Sequence, residues 1–168
     1  MSYQDRTYVI FDADNDMWAY AFMKGWKKNE RIDFDFDDAH DLKPLTYRAS
    51  DETYIKNRLR ERMLAADQVV VIVGESTRYL YKYVRWEIEL ALELGLPIIV
   101  VNLNKTRSMD STLCPPILKS KNAIHVSFNL ASIKYSLDYF PGFYHNRRDR
   151  NSNTDYYWNS EVYRDLGL

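Results

Sequence analysis

Apolar residues arrive along this chain in short runs separated by polar turns, and the runs differ in period. Thr7-Tyr8-Val9-Ile10-Phe11 is nonpolar on both faces and stops at Asp12, the pattern of a strand buried within a sheet. Trp18, Ala21, Phe22, Gly25 and Trp26 then recur at helical spacing, with Lys24, Lys27 and Lys28 on the other side. Asp16 precedes them as an N-cap. Ile32, Phe34 and Phe36 alternate with Asp33, Asp35 and Asp37, which predicts an edge strand with one wet face. After a polar loop from Asp38 to Ser50, with Ser50 or Asp51 as the cap, Ile55, Leu59, Met63 and Ala66 form the stripe of a second helix.

Val69-Val70-Val71-Ile72-Val73 is the strongest strand signal, an unbroken and mostly β-branched run that belongs at the centre of a sheet. It ends at Gly74-Glu75-Ser76-Thr77. Val84, Ile88, Ala91 and Leu92 mark a third helix, stopped by Gly95 and Pro97. Ile98–Val101 and Ile124–Phe128 read as two more strands, and Ile133, Leu137 and Phe140 as a fourth helix broken at Pro141-Gly142. Alternation of this kind predicts an α/β fold: a flavodoxin-like three-layer sandwich with a five-stranded parallel sheet in the order 2-1-3-4-5. Ligands of such sheets sit beyond the carboxyl ends of the strands, at the switch between strands 1 and 3. That sets the loop Phe11–Asp16 beside the loop Gly74–Thr77. The expected organisation is one domain over residues 1–140 and a Tyr-rich extension over 141–168.

Composition narrows the function classes. With 168 residues the chain suits one hydrophobic core. Its 23 basic and 24 acidic residues leave a net charge of −1, which argues against nucleic acid as a partner. Cys114 is the one cysteine, so no internal disulfide forms and a reducing cytoplasm is the expected location. The polar start Met1–Arg6 lacks signal-peptide character, and no apolar run reaches the ~20 residues of a membrane span.

Several motifs carry possible chemistry. Asp12, Asp14 and Asp16 alternate after the first strand, as metal-binding carboxylates do. A calcium loop starting at Asp12 fails, because Met17 and Met23 occupy the positions that need Gly and Glu. A haloacid-dehalogenase-type phosphatase lacks its acidic pair, since Ile98–Val101 leads into Asn102-Leu103-Asn104. A receiver-type phosphoacceptor lacks its Asp at the end of strand 3. No Gly-x-Gly-x-x-Gly or P-loop is present. His40, His125 and His145 are dispersed, with no triad or zinc spacing, so no metal is expected. Glu87 stands out: it borders the buried stripe of the third helix near that helix's start, where a carboxylate is partly desolvated. The competing reading is a helix-start Glu favoured by the macrodipole or paired with Arg85.

The segment Tyr83-Val84-Arg85-Trp86-Glu87-Ile88-Glu89-Leu90-Ala91 resembles the TIR domain family, whose pattern is like Trp-Val-x-x-Glu-Ile-x-x-Ala. Gly95 and the strand Pro97–Val101 follow as that family expects, and the first strand ending in Phe11-Asp12 resembles the prokaryotic TIR-like branch, including the TIR proteins of Thoeris anti-phage systems. The order of elements agrees from about Thr7 to Tyr139. Tyr83 stands where the family usually has Trp, and the loop Asp38–Ser50 lacks the Arg-Asp-x-x-Pro-Gly pattern. The resemblance implies cleavage of NAD⁺ at the nicotinamide–ribose bond, as hydrolysis or cyclisation, with Glu87 as the catalytic residue and NAD⁺ as substrate rather than cofactor. Phe11 and Tyr83 would then shape the ring pocket, and Asp12, Asp14, Ser76 and Thr77 would bind hydroxyls or phosphates. It also implies self-association through TIR surfaces and a downstream effector that senses the nucleotide product, with no nucleic acid or membrane partner. Two other readings stay open: a TIR-like scaffold without activity, and a nucleoside deoxyribosyltransferase-like enzyme that also sets a Glu against a ribose C1.

Overall fold

The structure, a computed structural model, describes residues 6–38 and 51–168, with Asp37 and Asp38 as backbone. The expected cap at Ser50, His40 and most of the Asp38–Ser50 loop lie outside the described residues. Five parallel segments form the sheet: β1 (Arg6–Ile10), β2 (Asp37–Asp38), β3 (Gln68–Val73), β4 (Ile98–Asn102) and β5 (Ile124–Ser127), in the order β2-β1-β3-β4-β5. Four of these are substantial strands. β2 is an edge of two residues, paired only as Arg6↔Asp37 and Thr7↔Asp38. The α/β class and the parallel sheet flanked by helices therefore stand, while a fifth full strand does not.

Of the edge strand expected over the alternation Ile32 to Asp37, only Asp37 joins the sheet. Ile32–Phe36 make no ladder, although Phe34 and Phe36 are buried and Asp33 and Asp35 are exposed. Alternating burial needs only an extended backbone laid across the core. It does not by itself supply a hydrogen-bonding neighbour, and here Phe34 N–H instead donates to Ile32 O at 2.9 Å.

Helices α1 (Met17–Lys28) and α4 (Leu130–Asn146) cover one face of the sheet, against Val9, Val70, Ile72, Ile99 and Val101. Helices α2 (Glu52–Leu64) and α3 (Tyr83–Glu93) cover the other, against Tyr8, Ile10, Val69, Val71 and Val100. Asp51 caps α2 by accepting from Thr53 N–H and Tyr54 N–H at 2.9 and 3.2 Å. Gly95, at φ +65°, ends α3, and its backbone N–H donates to Leu92 O at 3.2 Å.

The helical period of α1 holds, but its phase is shifted from expectation. Ala19, Tyr20 and Met23 face the core, while Trp18 and Phe22 are 48% and 56% exposed. The outer row Trp18, Phe22, Trp26 is joined by Phe128, with centroids 5.5–6.3 Å apart. Helix α4 is also not broken at Pro141-Gly142 and runs on to Asn146. Proline forfeits one backbone donor. The aromatic packing of Phe140 and Phe143 on Tyr156, at 6.2 and 5.2 Å, holds the last turns in place.

The chain after α4 is packed rather than loose. Tyr156 bridges in parallel to Ile124 at the edge of β5, donating its N–H to Ala123 O and accepting from His125 N–H, both at 2.9 Å. Trp158 Nε1–H donates to Ser136 Oγ at 2.9 Å, and a last helix, α5 (Ser160–Asp165), buries Tyr163. No helix of the described residues is long and apolar enough to cross a membrane.

Candidate functional site

The loop after β1 is organised by Asp12. Its Oδ1 accepts from the backbone N–H groups of Asp14 and Asn15 at 3.0 and 3.3 Å, and its Oδ2 accepts from Asn15 Nδ2 at 2.7 Å. Asp12 is buried and both its oxygens are engaged in shaping the loop, which leaves Asp14 exposed at the surface.

Asp16 holds the N-cap position of α1 but makes no side-chain cap bond there. Its carboxyl crosses instead to the loop after β3. A Cβ on Gly74 would lie 2.5 Å from Asp16 Oδ2, so this close approach demands glycine. The Thr77 hydroxyl accepts from Gly74 N–H at 2.9 Å and hydrogen-bonds the Asp16 carboxylate. Asp16 is 6% exposed, and its Oδ2 has no hydrogen-bond partner. Burial above all, then the charge of Asp12, hold its carboxyl above the usual range, partly opposed by the Thr77 hydrogen bond. Beside it opens a cleft of about 360 Å³ across the carboxyl ends of β1, β3 and β4, lined by Asn15, Asp16, Trp18, Gly74, Ser76 and Asn104 among others.

Glu87 lies elsewhere. It faces inward from α3 and is 7% exposed. The Tyr8 hydroxyl on β1 favours the ionised form of Glu87, and Arg62 on α2 contributes a weaker favourable charge. Desolvation outweighs both and pushes the Glu87 carboxyl up to about 8, leaving Oε2 without a partner. A pairing with Arg85 is not what forms, since Arg85 Nε donates to Glu89 at 2.8 Å.

The two rings expected to share a pocket are separated. Phe11 stacks on Tyr20 at 4.5 Å in the core under α1. Tyr83 starts α3 on the opposite face, 44% exposed and edge-on to Trp86 at 5.6 Å. Thr77 is buried and structural, whereas Ser76 lines the cleft. His125 is buried, with Nε2 3.3 Å from Asp155 Oδ1 of the C-terminal segment. Among the described residues no group of three or more His, Cys, Asp or Glu is placed to hold a metal.

Sequence reading missed Tyr8, Trp18 and the true role of Asp16. A tyrosine inside an otherwise apolar strand signals a polar tip that needs a partner. A glycine directly after the central strand signals a close approach. Helical spacing alone places the row of Trp18 in the core and carries no sign of its exposure.

A parallel sheet with helices on both faces and a polar crevice over the strand ends define a doubly wound α/β protein, a class whose ligands sit in such crevices. The family profile of the Thoeris protein ThsB, TIR-like domain, matches residues 2–108, and the chain belongs to that family. The match spans β1 to β4 and so includes Asp16 and Glu87. No curated protein matches the sequence. Family membership points to a role in anti-phage defence.

Proposed function

We propose that the protein consumes NAD⁺ in anti-phage defence, with Glu87 as the catalytic residue. The observation that carries this reading is a carboxyl, on a chain of this family, that is almost wholly desolvated and keeps one unpartnered oxygen. Nicotinamide is a cationic leaving group, so cleavage needs no general acid. The C1–N bond breaks with its electron pair going to the nicotinamide nitrogen, and positive charge grows on the ribose C1 and ring oxygen. A carboxylate beside that carbon stabilises the charge, and in a dry site the effect is large. Water then attacks C1 and loses a proton, giving ADP-ribose, or an atom of the same molecule attacks and closes a ring.

The protonation state fits a site that responds to its substrate. Empty, Glu87 titrates near 8 and is largely neutral at pH 7. A cationic pyridinium–ribose beside it favours the ionised form, so the charge needed for catalysis arises with the substrate. The protein acts on NAD⁺ without a further cofactor, in the cytoplasm, and hands its product to an effector.

The test follows NAD⁺ loss and nicotinamide release by purified protein, with and without extract from infected cells. Glu87→Gln and Glu87→Ala are expected to lower turnover about 10²–10³-fold with the fold retained. Unchanged turnover in both variants removes Glu87 from the mechanism. A second reading, a non-catalytic scaffold that self-associates, is favoured by the exposed row of Trp18 and Phe22 on α1. Concentration-dependent assembly with no nicotinamide release under either condition selects it.

A further inference from the structure

A cavity of about 310 Å³ opens at the edge of β5, between α4, the segment after it and α5. Five rings line it: Tyr135 and Phe143 of α4, and Tyr156, Tyr157 and Trp158 of the segment that follows. None of them falls within residues 2–108, which the family profile matches. The cavity shares no lining residue with the cleft over the strand ends. Its volume is at the lower end of small-molecule sites.

The walls are held before any ligand arrives. Tyr156 is clasped to the sheet edge by its own N–H and C=O, and its hydroxyl lies 3.3 Å from Ser152 Oγ. Trp158 is tethered by its indole N–H to Ser136 Oγ, whose hydroxyl donates in turn to Ser132 O at 2.7 Å on the buried side of α4. Tyr135 meets Trp158 at 5.0 Å with their planes 85° apart, and Phe143 meets Tyr156 at 5.2 Å and 84°. Rings set at right angles enclose a space from different sides, and rings already fixed lose little freedom when a ligand enters. Phe143 and Tyr157 are 46% and 64% exposed, so the cavity is open to solvent.

The lining narrows the ligand. Among the described residues none of it is charged, so a phosphate or carboxylate finds no cation there. Its polar groups are largely engaged: the Trp158 N–H with Ser136, and Asn159 Oδ1 with Val162 N–H at 3.0 Å as the cap of α5. A ligand rich in hydrogen-bonding groups would leave them unmatched on entering. A quaternary ammonium has none to match. Its methyl groups suit an apolar wall, and its charge is drawn to the electron-rich faces of indole and phenol rings. We propose that this cavity binds a small metabolite through a trimethylammonium group, enclosed by Trp158, Tyr135, Tyr156 and Tyr157. With no lysine or arginine in the lining, the rest of the ligand is neutral, as in choline.

The test titrates the full chain with choline and with dimethylbutanol, its uncharged carbon isostere, and follows the ligand methyl protons by saturation-transfer NMR. Choline is expected to bind saturably, about fivefold more tightly than the isostere, and to shift the indole N–H signal of Trp158. Trp158→Leu and Tyr157→Leu keep an apolar wall but lose a ring face. Each is expected to weaken choline about threefold to fivefold while leaving the isostere nearly unchanged. Tyr157 is largely exposed, so Tyr157→Leu is expected to melt as the parent does, even if Trp158→Leu does not. Glu87→Gln is expected to bind choline as the parent does, whatever its turnover, which keeps this result separate from the NAD⁺ assay. The proposal is overturned by no saturable choline binding, by the isostere binding as tightly as choline, or by parent-like choline affinity in folded Tyr157→Leu and Trp158→Leu. Tighter binding of a trimethyllysine peptide than of choline also overturns it, by assigning the cavity to a protein partner.

Discussion

Glu87 and Asp16 are both carboxyls taken out of water, and both are driven toward the neutral form by burial, yet they sit in different kinds of place. Glu87 faces inward from α3 among packed apolar side chains, with Tyr8 of β1 favouring its ionised form. Asp16 lies at the strand ends, where its burial comes from a neighbouring glycine and threonine and the space beside it is open. The difference teaches that desolvation and access are separate properties. The first raises the energetic stakes of a charge, and the second decides which ligands can collect them.

The contrast can be broken most decisively at Glu87. Its folded carboxyl titrates near 8 against an ordinary 4.5. Below about pH 4.5 both folded and unfolded chains hold the proton, and the group contributes nothing to pH dependence. Between about 4.5 and 8 the unfolded chain releases it and the folded chain does not, so stability falls as pH rises. Glu87→Gln removes that loss. Urea unfolding should show the variant more stable than the parent by roughly 3–5 kcal/mol at pH 9, with the gap closing toward pH 4. A gap independent of pH would mean that Glu87 is ionised and solvated in the folded chain.

A smaller effect is expected at Gly74. An alanine methyl there must displace the Asp16 carboxyl from 2.5 Å, which should cost about 1–3 kcal/mol in thermal unfolding. Gly25, in the middle of α1 with nothing within 4 Å of a built Cβ, is the control, and Gly25→Ala should stabilise by about 0.5–1 kcal/mol. Equal effects at the two glycines would dissolve the distinction between a held carboxyl and a free one. A further modest loss is expected for Tyr8→Phe. It deletes the hydroxyl that lowers the Glu87 pKa, and should cost about 1 kcal/mol while moving the Glu87 titration higher. NMR of the carboxyl carbon across pH would read that shift directly.

Much of the fold was legible along the chain. Val69–Val73 and Ile98–Val101 are buried strands as their unbroken β-branched runs require, and Ile55, Leu59 and Met63 are the buried stripe of α2. Asp51 caps that helix as expected, and the stripe Val84, Ile88, Ala91 faces the core of α3 with Glu87 beside it. The site was legible only in part. Glu87 was marked by its place on the stripe, but its partner Tyr8 is 79 residues away in sequence (87 − 8) and shares no local pattern with it. Ser76 reaches the cleft, whereas Asp12 spends its oxygens on its own loop and Thr77 its hydroxyl on Gly74 and Asp16.

Local chemistry was enough wherever a period or a turn residue carries the information within a few positions, because backbone geometry repeats on that scale. Phase, ladder pairing and ligand access needed the folded molecule. Which side of α1 meets the sheet, whether Ile32–Phe36 finds a neighbouring strand, and whether Asp16 caps its own helix or crosses to Gly74 all depend on surfaces supplied by distant segments. Packing energy outweighs local preference at such points, since one buried aromatic contributes more than a cap or a single ladder bond.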